Sequence, residues 1–210
     1  MVMKSSPRHL REPIYWLTAR VHSFPKLRAF MWDVQYKLGM WRYLDFYSDG
    51  FQILMLVNEY APNARILDLG CGTSVNLPLR AGTCKHYHGV DISEKAIKEA
   101  RALARPNTSY EVADILTYYT DQTYDAILLR EVLYYFDHKE VHELLQHIGS
   151  FLAPDGKVFV QIYDASVYRE VINVVRNCGL AVLEERAGEQ ESGNAGLFMV
   201  LRPSSLPILQ

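Results

Sequence analysis

From residue 64 onwards the chain alternates between short apolar runs and longer segments with helical periodicity. The apolar runs are typical of buried strands, and the segments between them repeat apolar residues every three or four positions. We expect strands near 64–69, 86–91, 108–112, 124–129, 156–163, 180–187 and 196–202, and helices near 74–81, 93–104, 138–152 and 166–178. This alternation predicts an α/β fold with a doubly wound, mostly parallel seven-stranded sheet, whose last two strands form an antiparallel hairpin.

The first 60 residues follow a different pattern. Helical periodicity extends over 10–22 and 26–38 with a break at Pro25, and a third helix is expected over 48–60. This segment contains all three tryptophans of the chain. We therefore expect a helical cap or lid over residues 1–60 and a separate α/β domain over 61–210.

The first strand ends in a glycine turn. Gly70 and Gly72 flank Cys71, and Asp68 lies at the tip of the strand. Glycine allows backbone conformations and close approaches that a side chain would prevent. A strand, a glycine turn and the start of a helix predict a cradle for a nucleotide-like ligand, with Asp68 near a cationic group of that ligand. A turn without a ligand, or a reactive thiol at Cys71, is the alternative.

Ionisable residues also follow the next three strands. Asp91 ends the second strand about 20 residues after the glycine turn, where a carboxylate can accept hydrogen bonds from a ribose diol. Asp114 follows the third strand, and Arg130 and Glu131 end the fourth. Four consecutive strands therefore place polar groups at one edge of the sheet. Val75 occupies the third glycine position of the dinucleotide pattern, which argues against a nicotinamide-dependent dehydrogenase.

Together these motifs resemble the class I S-adenosylmethionine-dependent methyltransferases over about residues 45–202. The similar runs are Ile66-Leu67-Asp68-Leu69-Gly70-Cys71-Gly72-Thr73, His88-Gly89-Val90-Asp91-Ile92-Ser93, Asp114-Ile115-Leu116, Tyr124-Asp125-Ala126-Ile127, Glu131-Val132-Leu133-Tyr134-Tyr135 and Leu152-Ala153-Pro154-Asp155-Gly156-Lys157. The chain departs from the family at Ser74, where glycine is usual, and at Tyr135, where many relatives carry histidine.

The resemblance implies S-adenosylmethionine as methyl donor, S-adenosylhomocysteine as product and a Rossmann-like fold. The cofactor-binding residues that it implies are Asp68, Gly70, Cys71, Gly72, Asp91, Ile92, Asp114, Ile115 and Arg130. Asp91 would hold the ribose, Asp114 and Ile115 would bracket the adenine, and Arg130 would lie near the sulfonium. A structural pairing of Arg130 with Glu131 or Asp68 is the alternative.

Catalytic and acceptor-binding residues are predicted just after the fourth strand and in the lid. We expect catalytic roles for Glu131, Tyr135 and His138, the last of which shares a helix face with His142. The alternatives are a surface histidine pair and tyrosines that only pack. The predicted substrate and lid residues are Tyr36, Trp41, Tyr43, Tyr47 and Tyr134, whose rings can exclude water and attract a sulfonium.

The composition and charge of the chain bear on the type of methyl acceptor and on the cellular location. The chain has 210 residues, 49% of them hydrophobic, and a formal net charge of −2, so no overall positive field favours nucleic acid. Three scattered cysteines without metal-ligand spacing and the lack of a signal-like or membrane-spanning apolar run lead us to expect a cytoplasmic protein and no metal. The sequence does not determine the oligomeric state.

Three functions remain after these considerations. The leading hypothesis is methylation of an oxygen or nitrogen of a small metabolite or natural-product intermediate. The second is a macromolecular or carrier-bound acceptor, because Lys4, Arg8, Arg11, Arg20, Lys26 and Arg28 make residues 1–30 basic enough to contact an acidic carrier protein or an anionic surface. The third is a binding protein that kept the fold without the chemistry.

Overall fold

The fold is described from a computed structural model, which covers residues 24–41, 50–188 and 196–204. Its helices are α1 (Pro25–Lys37), α2 (Phe51–Tyr60), α3 (Glu94–Ala102), α4 (His138–Ile148) and α5 (Arg169–Arg176). Its strands are β1 (Arg65–Leu69), β2 (His86–Asp91), β3 (Thr108–Val112), β4 (Tyr124–Arg130), β5 (Leu152–Ile162), β6 (Leu180–Gly188) and β7 (Gly196–Pro203). Two 3₁₀ turns, Leu133–Tyr135 and Gly149–Phe151, flank α4.

The seven strands form one sheet in the order β3-β2-β1-β4-β5-β7-β6. The pairs from β3 to β5 are parallel, and β7 runs antiparallel between β5 and β6. The order changes direction beside β1, so the carboxyl ends of β1 and β4 face a crevice where such sheets bind ligands. The predicted fold class and the closing antiparallel hairpin are confirmed.

Two hydrophobic clusters cover the two faces of the sheet. The first cluster joins α4 and α5 to Leu67, Leu69 and Ile127, and the second joins α2 and α3 to Ile66 and Leu128. Ile53 and Leu56 of α2 are almost completely buried in the second cluster. The helix at 51–60 therefore packs on one face of the sheet, whereas α1 lies over the carboxyl ends of the strands.

The predicted helix at 74–81 is wrong, because these residues form turns. Ser74 has a left-handed φ of +52°, and Pro78 lacks the N–H that a helix interior needs. The Arg105 guanidinium donates hydrogen bonds to the carbonyls of Ser74 (2.6 Å) and Val75 (3.1 Å), which satisfies groups that a helix would have used. Val75 is exposed, so no helix packs against the sheet at this position.

Other element boundaries shift by a few residues. β5 begins four residues before its predicted start, because Leu152 pairs with Tyr124 before a register shift leads to the pair of Lys157 with Ala126. The helix expected at 166–178 begins at Arg169. The predictions for a helix at 10–22 and for the lid residues Tyr43 and Tyr47 lie outside the described residues.

Candidate active site

A cavity lies at the carboxyl ends of β1, β2 and β4, with α1 as its roof. The volume of this cavity is about 120 Å³. By the same measure a single water molecule needs about 10–15 Å³, so the cavity can hold a ligand much larger than water. The predicted site residues that line it are Tyr36, Trp41, Gly70, Cys71, Gly72, Asp91, Ile92, Asp114, Ile115, Arg130, Glu131 and Tyr135. The sequence thus placed residues from four strands and the lid around one space.

The glycine turn forms the floor of this cavity. Gly70 and Gly72 have φ values of +81° and +56°, a region that favours glycine. A Cβ at Gly72 would lie 2.7 Å from the Tyr36 hydroxyl, and a Cβ at Gly70 would lie 2.6 Å from Val132. Bare backbone at these two positions lets β1, β4 and the roof helix converge on the cavity.

Asp91 is held at the end of β2 by backbone donors. Its Oδ2 accepts from the Gly72 N–H at 2.9 Å and its Oδ1 accepts from the Ser93 N–H at 2.9 Å. Burial raises the pKa of Asp91 to about 6, although these two N–H groups favour the ionised form. Each oxygen keeps a lone pair for a further donor, such as a ligand hydroxyl.

Asp68 requires a correction, because it does not line the cavity. It is fully buried; its Oδ2 accepts from the Tyr87 hydroxyl at 2.7 Å and lies 3.7 Å from the Arg130 guanidinium. Side chains alternate along a strand, so Asp68 shares the face of Ile66 and points into the second cluster beside Tyr87. Burial raises the pKa of Asp68, opposed by Arg130 and by the Tyr87 hydroxyl.

Arg130 lines the cavity and also lies beside the buried Asp68 carboxylate. Its guanidinium lines the cavity, donates to Asn76 Oδ1 at 3.3 Å and faces Asp68. The alternative of a structural pairing with Asp68 is therefore correct, and cavity contact is retained as well.

Asp114 forms an ion pair with Arg28 of α1. The two side chains are 12% and 7% exposed, and both residues line the cavity. The second carboxylate oxygen of Asp114 accepts from the Leu116 N–H at 3.1 Å. The Asp114 carboxylate, which we predicted to bind the adenine amine, therefore also anchors the roof helix α1.

Two further residues of α1, Asp33 and Trp32, fix the roof, and neither was among the predicted site residues. Asp33 accepts from the Ser93 hydroxyl at 2.6 Å and from the Lys95 N–H at 3.1 Å, at the start of α3. The Trp32 ring meets Tyr135 edge to face, with centroids 4.8 Å apart. Arg28, Trp32 and Tyr36 are spaced four residues apart, so the helical period itself placed them on one face.

Glu131 carries a buried carboxyl group on a strained backbone. Its φ is +54°, a region that a residue with a side chain seldom adopts. Its Oε2 accepts from the Tyr134 hydroxyl and from the Tyr163 N–H, both at 2.9 Å. Its Oε1 has no hydrogen-bond partner among the described residues. Burial raises the pKa of Glu131 to about 7, with Tyr134, the Tyr163 N–H, Arg130 and Gln161 acting in the opposite direction.

The predictions for His138 and Tyr134 also require correction. His138 begins α4 at the protein surface, where it lies 3.7 Å from Glu170, and together with His142 it lines a separate shallow depression. A base there cannot touch a ligand in the cavity. Tyr134 does not line the cavity; its hydroxyl donates to Glu131, so Tyr134 contacts the site only through that carboxyl group.

Cys71 lines the cavity as an unreactive thiol. Burial and the nearby carboxylates of Asp91 and Asp68 raise the pKa of Cys71 well above its usual value, so the thiolate is suppressed. Within the described ranges we find no group of three or more His, Cys, Asp or Glu residues placed to hold a metal ion. Nor does that part of the chain contain a helix with the length and apolar character needed to span a membrane.

The strand order, with its antiparallel seventh strand and a glycine turn at the crevice, defines the Rossmann-like methyltransferase class of fold. A family model described as "Methyltransferase domain" matches residues 37–192. The chain belongs to this methyltransferase domain family.

Two curated proteins are similar to parts of this chain. Nodulation protein S of Sinorhizobium fredii is 30% identical over 122 residues, which are 56% of this chain and 56% of that protein. Trans-aconitate 2-methyltransferase of Escherichia fergusonii is 34% identical over 102 residues, 47% of this chain and 39% of that protein. The chain thus spans about half the length, or less, of the curated relatives that it matches.

Solved structures share the fold. The N-methyltransferase NodS of Bradyrhizobium japonicum, in complex with S-adenosylhomocysteine, aligns with a TM-score of 0.59 at 22% identity over 73% of this chain and 85% of its own. The CcbJ methyltransferase of Streptomyces caelestis aligns with a TM-score of 0.62 at 17% identity over 75% and 90%. At these identities the likeness supports the fold and leaves the acceptor open.

Proposed function

We propose that this chain is an S-adenosylmethionine-dependent methyltransferase that methylates an oxygen or nitrogen of a small molecule. The observation that carries the proposal is one cavity that combines the Gly70–Gly72 floor, the Asp91 carboxylate and an aromatic roof. The family membership and the S-adenosylhomocysteine complex of the NodS relative support it.

The residues around the cavity fit the donor. Gly72 presents bare backbone to the cavity, with the Tyr36 hydroxyl close above it, and Asp91 is fixed by two backbone N–H groups with lone pairs to spare for a ribose diol. Cys71, Ile92 and Ile115 complete the apolar part of the lining, and Asp114 and Arg130 its charged part. When bound, S-adenosylmethionine supplies an electrophilic methyl group.

The chain's own residues then orient the acceptor, exclude water and receive a proton. Trp32, Tyr36 and Trp41 roof the cavity, and Tyr135 meets two of their rings from the side. Because the pKa of Glu131 is about 7, its carboxylate can take the proton of an acceptor O–H or N–H at Oε1 and release it to solvent afterwards. Positioning supplies most of the remaining catalysis.

Calorimetry with S-adenosylmethionine and S-adenosylhomocysteine tests the proposal. We expect both to bind the full-length chain with micromolar dissociation constants, and NADH, the control, not to bind. If neither sulfur ligand binds at millimolar concentration, the proposed function is wrong.

Three finer predictions stay proposals. The lid would comprise α1 and the residues up to Trp41, since α2 packs under the sheet. Contact of residues 1–30 with an acidic carrier protein or an anionic surface would rely on the other basic side chains, because Arg28 is buried against Asp114. A cytoplasmic location is supported by three cysteines that are all unbridged and buried.

A further inference from the structure

Two tyrosines behind the cavity wall connect its candidate base to a neighbouring loop. The rings of Tyr134 and Tyr168 are stacked, with centroids 4.2 Å apart and an interplanar angle of 11°. Neither residue lines the cavity. Tyr134 nevertheless reaches it through one hydrogen bond, from its hydroxyl to Glu131 Oε2.

The loop that carries Tyr168 is itself held in place. The Tyr168 N–H donates to the Asp164 carbonyl at 3.1 Å, and Asp164 is buried. The Asp164 carboxylate accepts from the Ser166 N–H at 3.0 Å, the Ser166 hydroxyl at 2.6 Å and the Val167 N–H at 3.2 Å. Tyr168 therefore offers Tyr134 a fixed ring surface directly before α5 begins.

The two carboxylate oxygens of Glu131 differ in their hydrogen bonds. The Tyr134 hydroxyl and the Tyr163 N–H both donate to Oε2, and the Gln161 side chain is a further hydrogen-bonding partner of the carboxylate. Oε1 is buried and has no hydrogen-bond partner in the described part of the chain. A buried polar atom without a partner costs free energy unless a ligand satisfies it.

We propose that Tyr168 is a positioning residue: by stacking on Tyr134 it keeps the Tyr134 hydroxyl on Glu131 Oε2, which leaves Oε1 for the acceptor's proton. This inference rests on the proposed function only in assigning Oε1 to the acceptor. The positioning itself is a property of the free protein, so it can be tested without a known substrate.

In the part of the chain that the structure describes, the polar groups around Glu131 come from β4, the 3₁₀ turn, β5 and the roof helix. Arg130 is its neighbour on β4, Tyr134 and Tyr135 come from the 3₁₀ turn, and Gln161 and the Tyr163 N–H come from the end of β5. The roof helix contributes Arg28, which is paired with Asp114, and Tyr36 to the same cavity. Removing the Tyr134 hydrogen bond from the ionised carboxylate should therefore raise the pKa of Glu131.

The test is a carbon-13 NMR titration of the full-length chain labelled at the glutamate carboxyl carbon, in which Glu131→Gln identifies the Glu131 signal. We expect a midpoint near 7 in the unmodified protein and a midpoint about one pH unit higher in Tyr134→Phe. Tyr168→Ser, which removes the stacked ring but supplies a preferred helix N-cap residue, should raise the midpoint in the same direction. Tyr168→Phe keeps the ring and is the matched control, with an unchanged midpoint.

The double variant separates coupling from simple loss of packing. If Tyr168 acts through Tyr134, then Tyr134→Phe combined with Tyr168→Ser should titrate like Tyr134→Phe alone. A midpoint in folded Tyr168→Ser equal to that of the unmodified chain, or a fully additive double variant, would overturn the inference. Should Tyr168→Ser not fold, Tyr168→Leu is judged by the same criteria. Failure of the proposed function is read separately, from donor binding by calorimetry.

Discussion

At the scale of single residues, the carboxyl groups of the cavity owe their positions to the ends of the parallel strands. Asp91, Asp114 and Glu131 each follow an apolar run, and parallel strands bring their carboxyl ends to one edge. Asp68 was misplaced because it lies within its strand, where the two-residue alternation turns its side chain onto one face. The strained φ of Glu131 could not be inferred from composition, because it is imposed by the sheet and turn around it.

Asp91 allows a prediction at this scale. In Asp91→Asn one carboxylate oxygen becomes an NH₂ donor, and it would then face a backbone N–H of Gly72 or Ser93. We expect a loss of about 1–3 kcal/mol in the free energy of unfolding and at least about tenfold weaker binding of S-adenosylmethionine. Asp155→Asn, at an exposed aspartate, is the control and should change neither. Donor affinity equal to that of the unmodified chain would remove Asp91 from the site.

At the scale of elements, local pattern predicted all seven strands and failed for one helix. Residues 74–81 have enough apolar positions to suggest a helix, but Pro78 and the contact with Arg105, about 30 residues away, favour turns. The packing of α1 onto the sheet edge was not derivable from its weakly amphipathic sequence. Its docking depends on Arg28 and Asp33, whose partners lie 60 or more residues away along the chain.

The anchoring of α1 can be measured by hydrogen exchange. Arg28→Met removes the cation from its pair with Asp114 and leaves that carboxylate unpaired at a largely buried position. We expect amide exchange in α1 to accelerate by about tenfold or more through local unfolding, while β1 and β4 keep their protection. Lys26→Met, an exposed change on the same helix, should leave exchange unaltered. Equal protection of α1 in both variants would mean that the ion pair does not hold the roof.

At the scale of the whole molecule, the cavity carries carboxyl groups that are costly to ionise. Burial raises the pKa of Asp91 to about 6 and that of Glu131 to about 7 in the folded chain. Between their unfolded and folded pKa values the folded state binds more protons than the unfolded chain does. The contribution of these two groups to stability therefore falls as the pH rises from about 4 to about 7.

Glu131→Gln isolates one of these contributions. We compare the free energy of unfolding of the variant with that of the unmodified chain at pH 4.5 and at pH 8. Because the amide cannot ionise, the difference should shift in favour of the variant by about 3 kcal/mol between the two pH values. Urea unfolding at the two pH values measures this change. Glu143→Gln, at an exposed position on α4, should show no comparable difference. A gain independent of pH would mean that Glu131 does not titrate near neutrality.

The walls of the cavity come from two separate stretches of the chain, 28–41 and 70–136, while the described residues after 136 contribute none. A junction near residue 50 separates the stretch that forms the roof from the stretch that forms the floor. A chimera that exchanges the roof but keeps Arg28 and Asp33 preserves the contacts of the roof with Asp114 and α3. Under the proposed function, such a chimera tests whether the roof selects the methyl acceptor.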